Sequence, residues 1–211
     1  MAFNILSWLY MERKAIPVLV LGFLLLALYG IWAVWKSLPP VPVPTPSRLP
    51  AFRMEAVTAK GHKILASQDF QGRPWVANFI FTHCAGPCPL LTAQMAKLQQ
   101  KLPRQVRLVS FTVDPVRDTS EVLSGYALRV GADPERWFFL RGSQEELVRL
   151  VRDGFKLSMV RDPRAPSGFR VVHSTKFVLV DASGNIQGYY DSDEASFLES
   201  LSGDVRSLLH E

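Results

Sequence analysis

The sequence predicts a three-layer α/β domain with a mixed central sheet, preceded by one N-terminal transmembrane helix. Three observations carry that expectation. Two continuous apolar runs, WVANFIF (75–81) and VRLVSFTV (106–113), read as strands buried on both faces. Each is followed by apolar positions at helical spacing, the alternation that builds parallel strands with crossover helices. Residues 16–35, IPVLVLGFLLLALYGIWAVW, carry no charge. At about 1.5 Å per residue they extend about 30 Å, the thickness of a bilayer core.

The elements follow in chain order. Arg13 and Lys14 stand before the apolar segment, and Lys36 is the one base after it until Arg48. That bias places the N-terminus in the cytoplasm and the rest of the chain outside. Trp32 and Trp35 sit toward the far end, where aromatic rings favour the interface. The next residues, KSLPPVPVP, offer no small-x-small cleavage site, so the segment is read as an uncleaved anchor. Six of the thirteen residues in LPPVPVPTPSRLP (38–50) are proline. Such a stretch favours polyproline II and gives a semi-rigid spacer of about 40 Å. The expected organisation is therefore 1–36 stub and anchor, 37–50 linker, and 51–211 globular domain.

Within the domain, RMEAVTA and HKILAS flank Lys60-Gly61 as a hairpin. The first buried strand, 75–81, leads into a helix after Pro89, marked by Leu90, Leu91, Met95, Leu98 and Leu102. The second buried strand, 106–113, is followed by a helix from Ser120 to Gly131. Trp137 to Leu140 reads as a short strand. Ser143 with Glu146 forms a capping box that opens the helix QEELVRLVRD. MVRDPRAPSGF (159–169) is polar and proline-containing, and reads as a loop. TKFVLVD, ASGN and IQGYY form a closing hairpin, and Asp193 is expected to cap a last helix to about Leu209.

The formal net charge of +5 is 24 Lys and Arg against 19 Asp and Glu, scattered along the chain with no run of five like charges. Scattered charge of this size points to solubility or an anionic partner, and no nucleic-acid partner is expected. Cys84 and Cys88 are the only cysteines, so a disulfide-stapled scaffold is excluded. They fall just past the first buried strand, in Thr82-His83-Cys84-Ala85-Gly86-Pro87-Cys88-Pro89. Reactive groups collect at that place in α/β sheets, and a helix start stabilises a thiolate. Pro89 suits a first helical turn. Three intervening residues make a larger ring than the two of the usual redox motif. The sulfurs can close a disulfide, rest as a structural pair, or converge on a soft ion such as Cu(I) or zinc.

Two thiolates leave an ion site incomplete, and His173 is the candidate third ligand. It stands immediately before the strand TKFVLV, where thioredoxin-like proteins place a cis-proline facing their cysteines. Here no proline occupies the neighbourhood, and imidazole can ligate. His83 adjoins Cys84 but follows strand alternation away from it, and is read mainly as an exposed residue, the alternative being a substitute ligand or thiolate modulator. Asp114 and Asp118, in DPVRDT, are read mainly as turn and cap residues. Of the two, Asp114 is the expected carboxylate beside the site. The bases Arg161, Arg164 and Arg170 before His173 read as either a solvated loop or a dock for an acidic partner.

These residues resemble the Sco/SenC family of membrane-tethered copper chaperones. The resemblance rests on NFIFTHC…CP, FTVDPVRDT (111–119), Tyr126, WFFLRGSQEEL, FKL (155–157) and VVHSTKFVLVDASGNIQGYY, in that order from about residue 52. It implies a thioredoxin-like domain in which Cys84, Cys88 and His173 bind copper as Cu(I) or Cu(II). The cargo would go to the copper-accepting subunit of a membrane oxidase, for assembly of the copper centre of cytochrome c oxidase. The alternative is a thiol-disulfide reductase acting on a partner's cysteines through Cys84 and Cys88, with metallochaperone work the main expectation. An extracytoplasmic site also implies a thiol reductant as a second partner. The expected location is the inner (plasma) membrane, single-pass, with the domain on the periplasmic side. Family members commonly hold an acidic residue between the cysteines, whereas here the spacer Ala85-Gly86-Pro87 is uncharged.

Overall fold

A computed structural model describes residues 26, 28–30, 47–84, 86–161 and 171–210, without the side chains of 159–161 and 171–173. The chain divides into two compact units, Met1–Thr45 and Pro46–Glu211. In the first, Leu26 and 28–30 are helical, and the expected membrane span otherwise lies outside the described residues. Among the described residues no helix is long and apolar enough to cross a membrane.

The second unit is built on a seven-stranded sheet. Strands β1 (Arg53–Thr58) and β2 (Gly61–Ala66) form the first hairpin, in register from Arg53↔Ala66 to Thr58↔Gly61. Strands β3 (Trp75–Ile80), β4 (Arg107–Thr112) and β5 (Trp137–Arg141) run parallel. Parallel neighbours need crossover connections, supplied by α1 (Cys88–Lys101) and α2 (Ser120–Arg129). After β5 come α3 (Gln144–Arg149), a π-helical turn at Leu150–Gly154, the short strands β6 (Met159–Arg161) and β7 (Val171–His173), the hairpin β8 (Lys176–Val180) and β9 (Ile186–Asp191), and α4 (Phe197–His210). The sheet order is β2-β1-β5-β4-β3-β8-β9, and β1, β8 and β9 run antiparallel to their neighbours. The sheet is therefore mixed, as the sequence predicts.

Strand β3 is buried at every position, because both of its faces are covered. One face meets the helices. Thr92 Oγ1 and Tyr126 OH share a 2.7 Å hydrogen bond that joins α1 to α2, and Lys101 pairs with Glu199 to join α1 to α4. The opposite face carries an aromatic cluster in which Phe155 meets Phe79 at 5.0 Å, Phe111 at 5.5 Å and Trp75 at 6.2 Å. The capping box forms as expected: Glu146 N donates to Ser143 Oγ at 3.2 Å, and Ser143 N donates to Glu146 Oε2 at 2.9 Å.

Three local expectations are corrected. The last helix begins at Phe197, not at Asp193, because Phe197 is held against Phe177 with ring centres 4.7 Å apart and residues 193–196 wind as turns. The polar stretch 159–169 is not all loop, since Met159–Arg161 pairs antiparallel with Val171–His173. Residues 47–50, read as the end of the spacer, dock on the globular unit. Arg48 bridges Asn185, Leu49 N donates to Gly184 O at 2.9 Å, and the Leu49 side chain is buried.

Candidate metal and thiol site

All three parallel strands end at one edge of the sheet, and the cysteines lie there. The chain leaves β3 at Ile80 and turns through 82–84, where Cys84 N donates to Phe81 O at 3.3 Å. Cys88 is the first residue of α1, with Pro89 in the first turn, where a missing N–H costs nothing. Cys84 is partly exposed, whereas Cys88 is 1% exposed. The two thiols share a hydrogen bond, so the sulfurs face each other across the turn. Burial pushes the Cys88 thiol well above its ordinary value, and the bond with Cys84 and the charge of Asp118 push the same way. Cys88 thus holds its proton in the metal-free protein at neutral pH, leaving Cys84 as the accessible sulfur. Both open on a cavity of about 380 Å³ between α1 and α2, lined by Phe81, Pro89, Ala93, Ala96 and Val130 among others. Tyr126 also lines it. Burial raises the Tyr126 phenol, and the cysteines add to the shift.

The loop holding Cys84 is anchored by a carboxylate. Asp118 is fully buried. Its Oδ1 accepts from Thr82 Oγ1 at 2.5 Å and its Oδ2 from Thr112 Oγ1 at 2.5 Å. Thr82 N lies 3.2 Å from both oxygens. Asp114, four residues earlier, turns instead to Arg117 and accepts no bond from the cysteine loop among those described. Of the two, Asp118 is therefore the carboxylate bonded to the cysteine loop. The sequence reads both mainly as turn and cap residues; Thr82, a hydroxyl residue at the exit of a buried strand, signals that an acceptor is needed there but not which aspartate supplies it. His83 is exposed, its Nδ1 3.1 Å from Thr82 Oγ1.

The backbone brings His173 toward the same edge. Strand β8 runs antiparallel to β3, with Ala77↔Val178 and Trp75↔Val180 in register, so the start of β8 lies at the end of β3 from which the cysteines emerge. His173 closes β7 three residues before β8 and pairs with Met159 in β6. Its side chain lies outside the described residues, as do Arg164 and Arg170. Among the described residues no three His, Cys, Asp or Glu side chains stand close enough together to hold a metal ion. The donors that are described, two facing sulfurs with one partly exposed, match two of the three ligands expected of a soft-metal site.

Comparison with known proteins gives consistent likenesses. The family model described as SCO1/SenC matches residues 51–210. A protein named SCO1 protein homolog, from Bacillus subtilis (strain 168), is 34% identical over 149 residues, covering 69% of this chain and 76% of its own. A SCO1/SenC family lipoprotein from Bacillus anthracis str. Ames has a crystal structure that matches with a TM-score of 0.69 at 31% identity, covering 81% of this chain and 99% of its own. BsSco, described as a member of the Sco family of cytochrome c oxidase assembly proteins in which a disulfide switch was identified, matches at 0.67 and 31%, with 80% and 96% covered. Yeast Sco1, solved with copper bound, shares the fold at a TM-score of 0.58 and 23% identity, with 77% and 90% covered.

Proposed function

The chain belongs to the SCO1/SenC family and has its thioredoxin-like fold, and we propose that it is a membrane-tethered, extracytoplasmic copper chaperone serving assembly of the copper centre of cytochrome c oxidase. Copper is its cargo, held by Cys84, Cys88 and His173. The observation that carries the reading is the pair of thiols facing each other at the strand edge, one partly exposed and one buried. Thiolates are soft donors that select Cu(I). Because burial keeps Cys88 protonated, loading copper must displace that proton, and affinity rises with pH until the thiol is fully ionised. The exposed Cys84 is the sulfur an incoming partner thiolate reaches first. Transfer then proceeds by ligand exchange, with Cys88 or His173 released as the copper-accepting oxidase subunit attaches.

The uncharged segment 16–35 supplies the anchor, and the proline-rich stretch after it supplies the spacer. A reporter fused after Glu211 should be active only if it works outside the cytoplasm. The site also supports a thiol-disulfide reductase reading, in which Cys84 attacks and Cys88 resolves, since a buried thiol of raised pKa is a poor first nucleophile. The two readings separate on His173. Competition for Cu(I) against a chromogenic chelator, with the reduced full chain and its Cys84→Ser, Cys88→Ser and His173→Ala variants, tests them. The chaperone reading expects each variant to lose at least about tenfold in affinity, on the order of one metal–ligand contact. If His173→Ala binds copper as tightly as the parent, the three-ligand site is wrong and the reductase reading gains.

A further inference from the structure

The loop that carries Asp118 is bonded within itself, with Arg117 N and Asp118 N donating to Asp114 O at 3.2 and 3.0 Å, and it is also held from outside. It leaves β4 at Thr112 and reaches α2 at Ser120, and its outer side rests on one guanidinium from the neighbouring strand. Arg141, the last residue of β5, spreads its donors over three acceptors. Nε donates to Asp118 O at 3.1 Å, Nη2 to Pro115 O at 3.1 Å, and Nη1 to Glu55 Oε2 at 2.8 Å. Glu55 is fixed in turn, because its Oε1 accepts from Ser120 Oγ at 2.7 Å and lies 2.6 Å from His62 Nδ1. Burial works against the Glu55 charge, but the bonds from Arg141, Ser120 and His62 outweigh it and hold the carboxyl below the usual carboxylate range. Arg141 and Glu55 are both largely shielded from water, at 27% and 18% side-chain exposure, where such a pair is stronger than on an open surface. Two of the three bonds go to backbone carbonyls of one turn, a planar fork that lysine cannot reproduce.

We propose that Arg141 is a positioning residue for the cysteine pair: it clamps the 114–118 turn from β5 so that the Asp118 carboxylate meets Thr82, and through Thr82 it fixes the loop carrying Cys84 against Cys88. The inference rests on the thiol pair being functional, as proposed above, and adds a residue at a strand end with no chemistry of its own. A loop held in place keeps the two sulfurs at high effective concentration toward each other and toward a shared ion. Loosening the clamp therefore weakens copper retention and ring closure together.

The test uses the reduced, metal-free full chain, with Arg141→Gln and Arg141→Lys as variants and Arg104→Gln as control. Arg104 pairs with Asp133 ahead of β4, at the opposite end of the sheet. In glutathione buffers the dithiol gives two electrons and two protons to oxidised glutathione, forming the Cys84–Cys88 disulfide and two reduced glutathiones. Arg141→Gln should lower that equilibrium constant by about tenfold, the order expected for a lost charge-assisted bond, and raise the Kd for Cu(I) by a similar factor. Arg141→Lys should recover only part of either change, and Arg104→Gln should move neither by more than about twofold. Should Arg141→Gln fail to fold, Glu55→Gln takes its place, since it removes the charge on which Nη1 is anchored and should move both quantities the same way by a smaller factor. A folded variant with lowered thermal stability but an unchanged glutathione equilibrium would overturn the proposal and leave Arg141 a purely structural clamp. The copper reading fails separately, if the parent chain itself does not bind Cu(I); the glutathione arm still decides on Arg141.

Discussion

Replacing Asp118 by Asn tests the arrangement at its centre, because it keeps the shape and removes the charge. The carboxylate receives three donors: the Thr82 N–H and the Thr82 and Thr112 hydroxyls. All four of its lone-pair directions are acceptors, whereas asparagine offers one acceptor oxygen and a donating NH2. One hydroxyl must then turn round, and its short, charge-assisted bond is lost. A hydrogen bond to a charged group contributes about 1.5–3 kcal/mol, so Asp118→Asn should destabilise the domain by about 2 kcal/mol. For a unit of this size that lowers Tm by roughly 4–8 °C. The second effect has the opposite character. Asp118 is one of the groups that push the Cys88 thiol up, behind burial and the bond with Cys84. Removing its charge should let Cys88 ionise at lower pH, so a less stable protein acquires a more reactive buried thiol. The pH profile of iodoacetamide alkylation reads this, with Cys84→Ser as background so that Cys88 alone reports. The profile of the double variant should lie to the acid side of the Cys84→Ser profile. A fall in Tm with an unmoved or alkaline-shifted profile would refute the placement of the Asp118 charge beside Cys88.

Two further outcomes follow from the same geometry. The raised Cys88 pKa gives the reduced, metal-free protein a pH dependence of known sign: the unfolded chain ionises near the ordinary thiol value of 9.0 while the native thiol stays neutral. Unfolding then releases a proton, so stability is retained below about pH 9 and declines above it; in urea titrations at pH 8 and pH 10, Cys88→Ala should flatten the thiol part of that decline. Tyr126→Phe removes the 2.7 Å bond to Thr92, which is 4% exposed and left without that partner. The expected loss is about 1 kcal/mol in urea unfolding with the glutathione equilibrium unchanged, and a shift in that equilibrium would assign the phenol a part in the thiol chemistry.

The elements that were legible in the sequence are those whose burial is periodic or continuous. WVANFIF and RLVSFT read as buried strands because every side chain of the first and all but Arg107 of the second lie inside, and Ser143 with Glu146 announces a helix start because both halves of the box are side-chain chemistry within four residues. What was not legible depends on partners distant in sequence. Strands β6 and β7 are three residues each, pair only with one another, and are separated by a stretch rich in turn formers. Asp193 has the chemistry of a cap, yet the helix waits until Phe197, whose ring has a place against Phe177. The site shows the same division. Position along the chain sufficed to put Cys84 and Cys88 past the first buried strand, and the register of β8 against β3 brings the backbone at His173 to that edge. The choice between Asp114 and Asp118 was beyond such reasoning, because both lie on one turn and differ only in which way it faces. Arg117 takes the first and the cysteine loop takes the second. The orientation of that turn is also held by Arg141, at the end of β5, and by Glu55, paired with it from within β1. A loop's chemistry can thus be written within a few residues of its cysteines while its geometry is written some fifty residues later, in the strand that holds the turn beside it.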